Sequence, residues 1–252
     1  MTQSKTMPCT AYAHPRLAAT YDIANPPTGD YDFYVKLAGD KPLAILDMGS
    51  GTGRLSLKLA ARGHRVTGAD PAPGMMLAAR EKPGAEQVTW VASDAAHLAL
   101  KTRFDLIVMT GHVFQVFLED AEIVAALSNL RRHLAPGGRI AFETRNPAMR
   151  EWETWTPELT REQIVVPEIG PVTVHYDMTG ADDRFVHFDT HYDFGGGDKV
   201  VAPTTLRIMD QPALARLLGK SGLKPLQWFG DWDCGEIGPE SPEIIVVATA
   251  VA

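Results

Sequence analysis

The stretch LAILDMGSGTGRLSLKLAARGHRVTGAD, Leu43 to Asp70, decides how the rest of the chain is read. A short apolar run meets a loop holding Gly49, Gly51 and Gly53, a helix-like segment follows, and a second β-prone run ends on Asp70. Glycine supplies tight-turn conformations and lets a ligand lie directly against backbone, and the helix that follows offers free N–H groups at its start. A strand, glycine loop and helix of this kind serve NAD, FAD, nucleotides or S-adenosylmethionine.

Outward from this stretch the chain alternates. Leu43 to Met48, Arg65 to Ala69, Gln87 to Ala92, Phe104 to Met109 and Arg139 to Thr144 read as strands. Arg54 to Arg62, Gly74 to Arg80 and Asp120 to Leu134 read as helices, the last with Asp120 as N-cap and Pro136-Gly137-Gly138 as stop. Strand alternating with helix predicts an α/β fold with a parallel sheet covered on both faces. After Pro147 the rhythm changes to period two, with Val172, Val174, Tyr176 and Met178 on one face and Val186, Phe188, Thr190 and Tyr192 on another, predicting an antiparallel insert of three or four strands. Asp210 then caps a helix ended by Gly222, and strands at Leu223 to Phe229 and Glu243 to Ala250 close the chain. Before the first strand, a helix broken at Pro26 and Pro27 and a second short helix around Phe33 form a lid or cap.

The chain of 252 residues fits one domain, divided into a lid at 1–40, a core at 41–147 and 204–252, and the insert at 148–203. A net charge of −7 with scattered basic residues lacks the footprint of a nucleic-acid binder. Cys9 and Cys234 are too few for a disulfide framework and have no second cysteine at metal-ligand spacing. With no signal-like start and no run approaching the roughly 20 apolar residues of a spanning helix, the expectation is a cytoplasmic protein with no membrane partner.

A dinucleotide fingerprint puts its third glycine five positions after the first, and Arg54 stands there. The spacing LDMGSGTGR instead resembles the first motif of the class I S-adenosylmethionine-dependent methyltransferases, an acid followed by G-x-G-x-G. Asp70, 23 residues after Asp47, stands where an acid accepts from both ribose hydroxyls, or simply caps the turn before Pro71. In WVASDAAHL, the resemblance assigns Asp94 to the adenine amino group and the Ala95 N–H to a ring nitrogen, a match of acceptor to donor. In GADPAPGMML, Met75 or Met76 packs on the adenine or belongs to an ordinary helix core. Tyr21 resembles a lid tyrosine that closes over the cofactor, with Tyr12 and Tyr34 weaker candidates. Asp47, Gly49, Gly51, Gly53, Arg54, Pro71 and Gly111 complete the cofactor-binding set that the resemblance implies.

The resemblance implies a Rossmann-like seven-stranded sheet in the order 3-2-1-4-5-7-6, strand 7 antiparallel, with cofactor across the carboxyl ends of strands 1 to 4. The loop after strand 4, TGHVFQ, lacks the Asn/Asp-Pro-Pro-aromatic tetrad of amino-directed DNA enzymes, the magnesium aspartate of catechol-type enzymes and the paired glutamates of arginine-directed ones. What remains is transfer to a nitrogen or oxygen of a small molecule, with no metal. The insert is similar to that of amino-sugar and glycine N-methyltransferases, where it roofs the acceptor pocket, and leaves a homodimer open. His112 is the candidate for contacting or deprotonating the acceptor, because imidazole titrates near neutrality; the other reading bonds it within its loop or to the cofactor carboxylate. His187, Asp189 and His191, with His175 and Asp177, line either a polar pocket, a solvated sheet face or a metal cluster. Trp228, Asp231 and Trp232 form an aromatic acceptor wall or a hairpin core. Three rivals stand beside this reading: other chemistry on the same cofactor, an NAD(P)-dependent oxidoreductase, and a non-catalytic S-adenosylmethionine-binding module.

Overall fold

Ile45 and Leu46, fully buried at the centre of the first strand, are flanked on both sides by parallel neighbours, so the chain is built outward from this strand. The computed structural model describes residues 15–251, and Cys9 and Tyr12 lie outside them. In chain order the elements are α1 (Pro15–Ala24), α2 (Asp30–Ala38), β1 (Ala44–Met48), α3 (Arg54–Ala60), β2 (Arg65–Ala69), α4 (Pro73–Glu81), β3 (Val88–Val91) and β4 (Phe104–Met109). Then come α5 (Asp120–Arg132), β5 (Leu134–Arg145), a one-turn α6 (Pro157–Thr160), β6 (Glu162–Val166), β7 (Gly170–Ala181), β8 (Phe185–Asp193), β9 (Lys199–Arg207), α7 (Gln211–Lys220), β10 (Leu223–Phe229) and β11 (Glu243–Ala250).

Seven strands form one sheet in the order β3-β2-β1-β4-β5-β11-β10, with β11 antiparallel to both its neighbours. This is the expected order and orientation. One face buries Leu46, Ile107, Phe142 and Val246 against α5 and α7, and the other buries Ile45, Leu106, Ala141 and Ile245 against α2 and α3. Alternating side chains of each strand therefore serve opposite layers.

Two local expectations are corrected. Asp120 does not cap α5: the N-cap is Glu119, whose N–H donates to Glu122 at 3.1 Å, and Asp120 instead pairs with Arg207 of β9. Strand β5 begins at Leu134 rather than Arg139, because Leu134 pairs with Phe104 before the ladder shifts and resumes at Leu106–Arg139. Asp210 caps α7 as expected, accepting from Ala213 N at 2.9 Å.

The insert is a four-stranded antiparallel sheet, β6-β7-β8-β9, that runs on to Arg207. Val172, Val174, Val186 and Phe188 point inward, toward Trp152, Trp155 and the helix α1. The opposite face carries His175 paired with His191 and Asp177 paired with Asp189, with the two imidazoles stacked at 4.6 Å. His187 on this face is exposed, and Asp177 is too. Of the three readings of these residues, the solvated sheet face is the one this register supports, since the period-two pattern turns them away from Trp152 and Trp155. Among the described residues no cluster of three or more His, Cys, Asp or Glu is placed to hold a metal, and no helix is long and apolar enough to cross a membrane.

Candidate active site

The glycine loop leaves β1 at the carboxyl edge of the sheet. Gly49 N and Ser50 N donate to Ala69 O of β2 at 2.7 and 3.0 Å, which folds the loop back over the neighbouring strand. Gly51 N then donates to Asp70 Oδ2 at 2.9 Å, while Ala72 N donates to Asp70 Oδ1 at 2.8 Å. Each Asp70 oxygen therefore keeps a lone pair for a further donor. Burial pushes the Asp70 carboxyl upward, and these two N–H groups oppose the shift.

Whether this turn fits an adenosyl sulfonium amino acid is tested by what is left unsatisfied. Gly51, at φ 54°, has open space where a Cβ would stand, so the loop is a shallow cradle at this point. Asp47 is 1% exposed; Oδ2 accepts from Ser56 at 2.6 Å and Oδ1 has no partner. Ser50 Oγ is buried without a partner as well. Burial raises Asp47 to about 6. Free acceptors at Asp47 and Asp70 beside backbone donors match a ligand that presents an ammonium and a diol, so the residues fit the group.

Gly53 has a different task. A Cβ there would overlap the Trp90 ring, which also fills the space above Gly68. The next residue, Arg54, does not turn into the loop. Its guanidinium donates to Asp22 O at 3.0 Å and Asn25 O at 2.6 Å and pairs with Asp22 at 3.2 Å. The expected cofactor contact of Arg54 is thus corrected to a fastening of α1. Thr52 Oγ1 and Lys82 Nζ converge on the same Asp22 carboxylate.

Through this fastening α1 lies on the loop and on α4. Met75 is buried among Ala18, Tyr21 and Ala72, so α1 covers it. Tyr21 brings its hydroxyl to Gly111, within 3.7 Å of where a Cβ would stand. Pro71 is exposed beside Asp70. Asp94 follows β3 and closes its own turn, Oδ1 accepting from Ala96 N and His97 N at 2.9 Å, with His97 Nδ1 2.9 Å from both oxygens. Ala95 is buried, its carbonyl accepting from Asn129.

After β4 the chain makes a left-handed turn. His112 holds φ 58° and ψ 22°, a conformation that non-glycine residues adopt at a cost of about 1–3 kcal/mol. Two carboxylates from neighbouring strands hold it there. Glu143 of β5 accepts from the His112 backbone N–H at 2.8 Å, and both Glu243 oxygens, from β11, lie 3.0 Å from His112 Nε2. Tyr34 of α2 donates its hydroxyl to the other Glu143 oxygen. Burial favours the neutral forms: it lowers His112 to about 4 and raises Glu143 to about 7 and Glu243 to about 8. Glu243 as the acid donating to a neutral imidazole is the arrangement that burial favours.

Glu143, Arg145 and Glu243 share one sheet face, since Arg145 stands opposite Glu243 and Glu143 opposite Ile245. Arg145 donates to Gln115 Oε1 and to Glu151, both at 3.0 Å, and lies 5.0 Å over the Trp155 ring. Trp155 in turn packs edge-on to Phe188 at 4.8 Å and beside Tyr176 at 6.1 Å. Strong apolar walls with a few convergent polar groups are the make-up of a small-molecule site.

Several expected residues sit elsewhere. Tyr34 is fully buried beneath the sheet rather than in the lid. Trp232 packs edge-on to Phe33 at 5.8 Å, Trp228 packs against the core, and Asp231 caps a turn by accepting from Asp233 N and Gly235 N, which is the hairpin-core reading. Glu143 and Glu243 were not anticipated. The signal for Glu143 is a lone acid inside the apolar run IAFET, where buried charge is rare unless paired.

Residues 45–138 match the model of a methyltransferase domain. Over 104 residues the chain is 33% identical to the cypemycin N-terminal methyltransferase of a Streptomyces species, a match that spans 41% of this chain and 42% of that relative. The fold is similar over almost the whole chain to the CcbJ methyltransferase of Streptomyces caelestis, with a TM-score of 0.79 at 21% identity over 96% of this chain and 98% of that one. It is also similar to the sugar N-methyltransferase KedS8 of a Streptoalloteichus species, with a TM-score of 0.75 at 17% identity over 100% and 99% of the two chains. Residues 45–138 thus resemble a methyltransferase domain, and over nearly its whole length the chain shares the fold of these methyltransferases.

Proposed function

We propose that this chain transfers a methyl group from S-adenosylmethionine to a nitrogen, or failing that an oxygen, of a small molecule. The observation that carries the reading is the loop in which Asp47 and Asp70 keep acceptor lone pairs open around the Gly51 cradle, with Gly111 and His112 in the turn that follows the adjoining strand β4. Bound there, the cofactor supplies a methyl carbon already activated by its sulfonium.

Asp70 is assigned to the ribose hydroxyls, Asp47 and the Gly49–Gly53 turn to the amino-acid end, and Asp94 with the Ala95 N–H to the adenine. Pro71, Met75, Gly111 and Tyr21 wall the same cleft. The main task of the protein is then to orient the acceptor and exclude water. Trp155, Tyr176 and Phe188 supply the wall, and α1 with the insert supplies the cover.

Nitrogen is favoured by charge. Asp30 and Glu151 act on the His112 region against the single guanidinium of Arg145, and Glu143 and Glu243 add negative charge once they ionise, above about pH 7 and about pH 8. A cationic amine is therefore increasingly attracted, and an anionic acceptor repelled, as pH rises. An amine that arrives protonated loses a proton before attack. Above about pH 8, where Glu243 is ionised, it accepts from Nε2–H of the neutral His112 ring. This leaves the Nδ1 lone pair to take that proton and holds the imidazolium through the same Nε2 contact. Incubating the protein with S-adenosylmethionine and a panel of small amines and alcohols, and following S-adenosylhomocysteine release, tests this. Turnover with amines is expected; turnover confined to carboxylates or alcohols would overturn the nitrogen assignment.

A further inference from the structure

We propose that Glu143 is a positioning residue that acts through His112, holding the left-handed turn after β4 by its main chain so that the imidazole meets Glu243. The placement of Glu143 carries this. It is 1% exposed in mid-strand, where its neighbours Ala141 and Phe142 are apolar and fully buried. A side chain that only filled space there would be apolar, because a buried carboxylate is costly unless donors surround it. Two donors do, and they come from different layers: the His112 N–H from the β4 loop and the Tyr34 hydroxyl from α2.

The turn also requires a restraint. His112 is one of four non-glycine residues with positive φ among the described residues, and a turn under backbone strain persists only where its surroundings fix it. Glu143 holds the backbone and Glu243 holds the ring, so one residue is gripped at two points by adjacent strands. Tyr34 is held rigidly in turn, packed edge-on to Phe33 at 5.2 Å and beside Trp232 at 6.2 Å. Helix α2 thus braces the active-site turn from below the sheet. The significance of His112 rests on the proposed function, but the positioning itself is a property of the ligand-free protein.

The test is the titration of the His112 ring by NMR in ligand-free protein labelled at histidine, with its resonance assigned by loss in His112→Gln. The charged or titratable groups around it are Tyr34 and Asp30 from α2, Arg145 and Glu143 from β5, Glu243 from β11, and Glu151. In the wild type the ring is expected to stay neutral from pH 5 to 8. In Glu143→Leu, which removes the acceptor of the His112 N–H, the turn is released, the ring leaves Glu243, and its midpoint rises toward the ordinary histidine value by about one pH unit or more. Tyr34→Phe, which keeps the carboxylate and removes one donor, moves it in the same direction by less. A folded Glu143→Leu whose His112 titration is unchanged overturns the proposal, even if its melting temperature falls, because a merely structural side chain would lower stability without moving that ring. Should Glu143→Leu not fold, an unmoved ring in Tyr34→Phe overturns it equally. Calorimetry of wild-type protein with S-adenosylhomocysteine is read separately: absence of binding would undo the functional reading and leave the positioning result standing.

Discussion

Gly51 donates its backbone N–H to Oδ2 of Asp70 at 2.9 Å, so the glycine loop of the first strand and the acid ending the second are joined before any ligand arrives. Asp70 both shapes the loop and offers a lone pair to a ribose hydroxyl. Replacing it with alanine is expected to weaken S-adenosylhomocysteine binding by about 2 kcal/mol, roughly 30-fold, as loss of charge-assisted hydrogen bonds does. Isothermal titration measures this directly, and an unaltered dissociation constant would remove Asp70 from the site.

Asp22 gathers Thr52, Arg54 and Lys82 onto one carboxylate and so pins α1 to the loop. Asp22→Ala leaves two partly buried cations without that partner and is expected to cost about 1–3 kcal/mol. Because the pairs are ionic and partly exposed, the wild-type fastening also weakens with salt. Limited proteolysis within Pro15–Ala24 reports it: cleavage is expected to accelerate in Asp22→Ala and in high salt, whereas equal rates would show that apolar packing alone holds the helix.

Gly53 combines a φ of 79° with close contact to Trp90. Gly53→Ala adds backbone strain of about 1–3 kcal/mol to a ring displacement. Thermal unfolding and Trp90 fluorescence are both expected to shift. Ser50→Ala, on the same loop but with no hydrogen bond to lose from its buried hydroxyl, is expected to leave the melting temperature nearly unchanged.

The buried acids set a pH dependence of unusual sign. Glu143 and Glu243 have folded pKa values raised to about 7 and about 8, above those of the unfolded chain, so the folded state holds extra protons in that window. Stability then falls as pH rises through it, by up to about 1.4 kcal/mol per pH unit for each such group. His112, lowered to about 4, works the other way below pH 6.5, where the unfolded chain takes up its proton first. Denaturant unfolding of ligand-free protein is therefore expected to show stability declining between pH 6.5 and 8, and less steeply in Glu243→Gln. A rise across that interval would contradict the burial argument.

The sheet was legible because its strands are short apolar runs separated by strong punctuation, and the glycine loop with Asp47 and Asp70 fixes where the switch of strand order falls. Period-two patterning exposed the insert but not which of its faces turns inward. That depends on what covers it, and Trp152, Trp155 and α1 come from distant parts of the chain. For the same reason His112 was visible and its partners were not. Glu143, Glu243 and Tyr34 lie 31, 131 and 78 positions from it, and only cross-strand register and the seating of α2 bring them together. Arg54 shows the converse case: the third-glycine argument spoke against a dinucleotide loop, yet the long side chain serves the lid.

The most direct check on the central claim, that this loop grips an adenosyl sulfonium and not a nicotinamide dinucleotide, is the thermal shift with S-adenosylhomocysteine set against that with NADH. At about 100 times its dissociation constant the first ligand is expected to stabilise the protein by about 2.7 kcal/mol while NADH does nothing. Stabilisation by NADH, or by neither compound, would contradict the account.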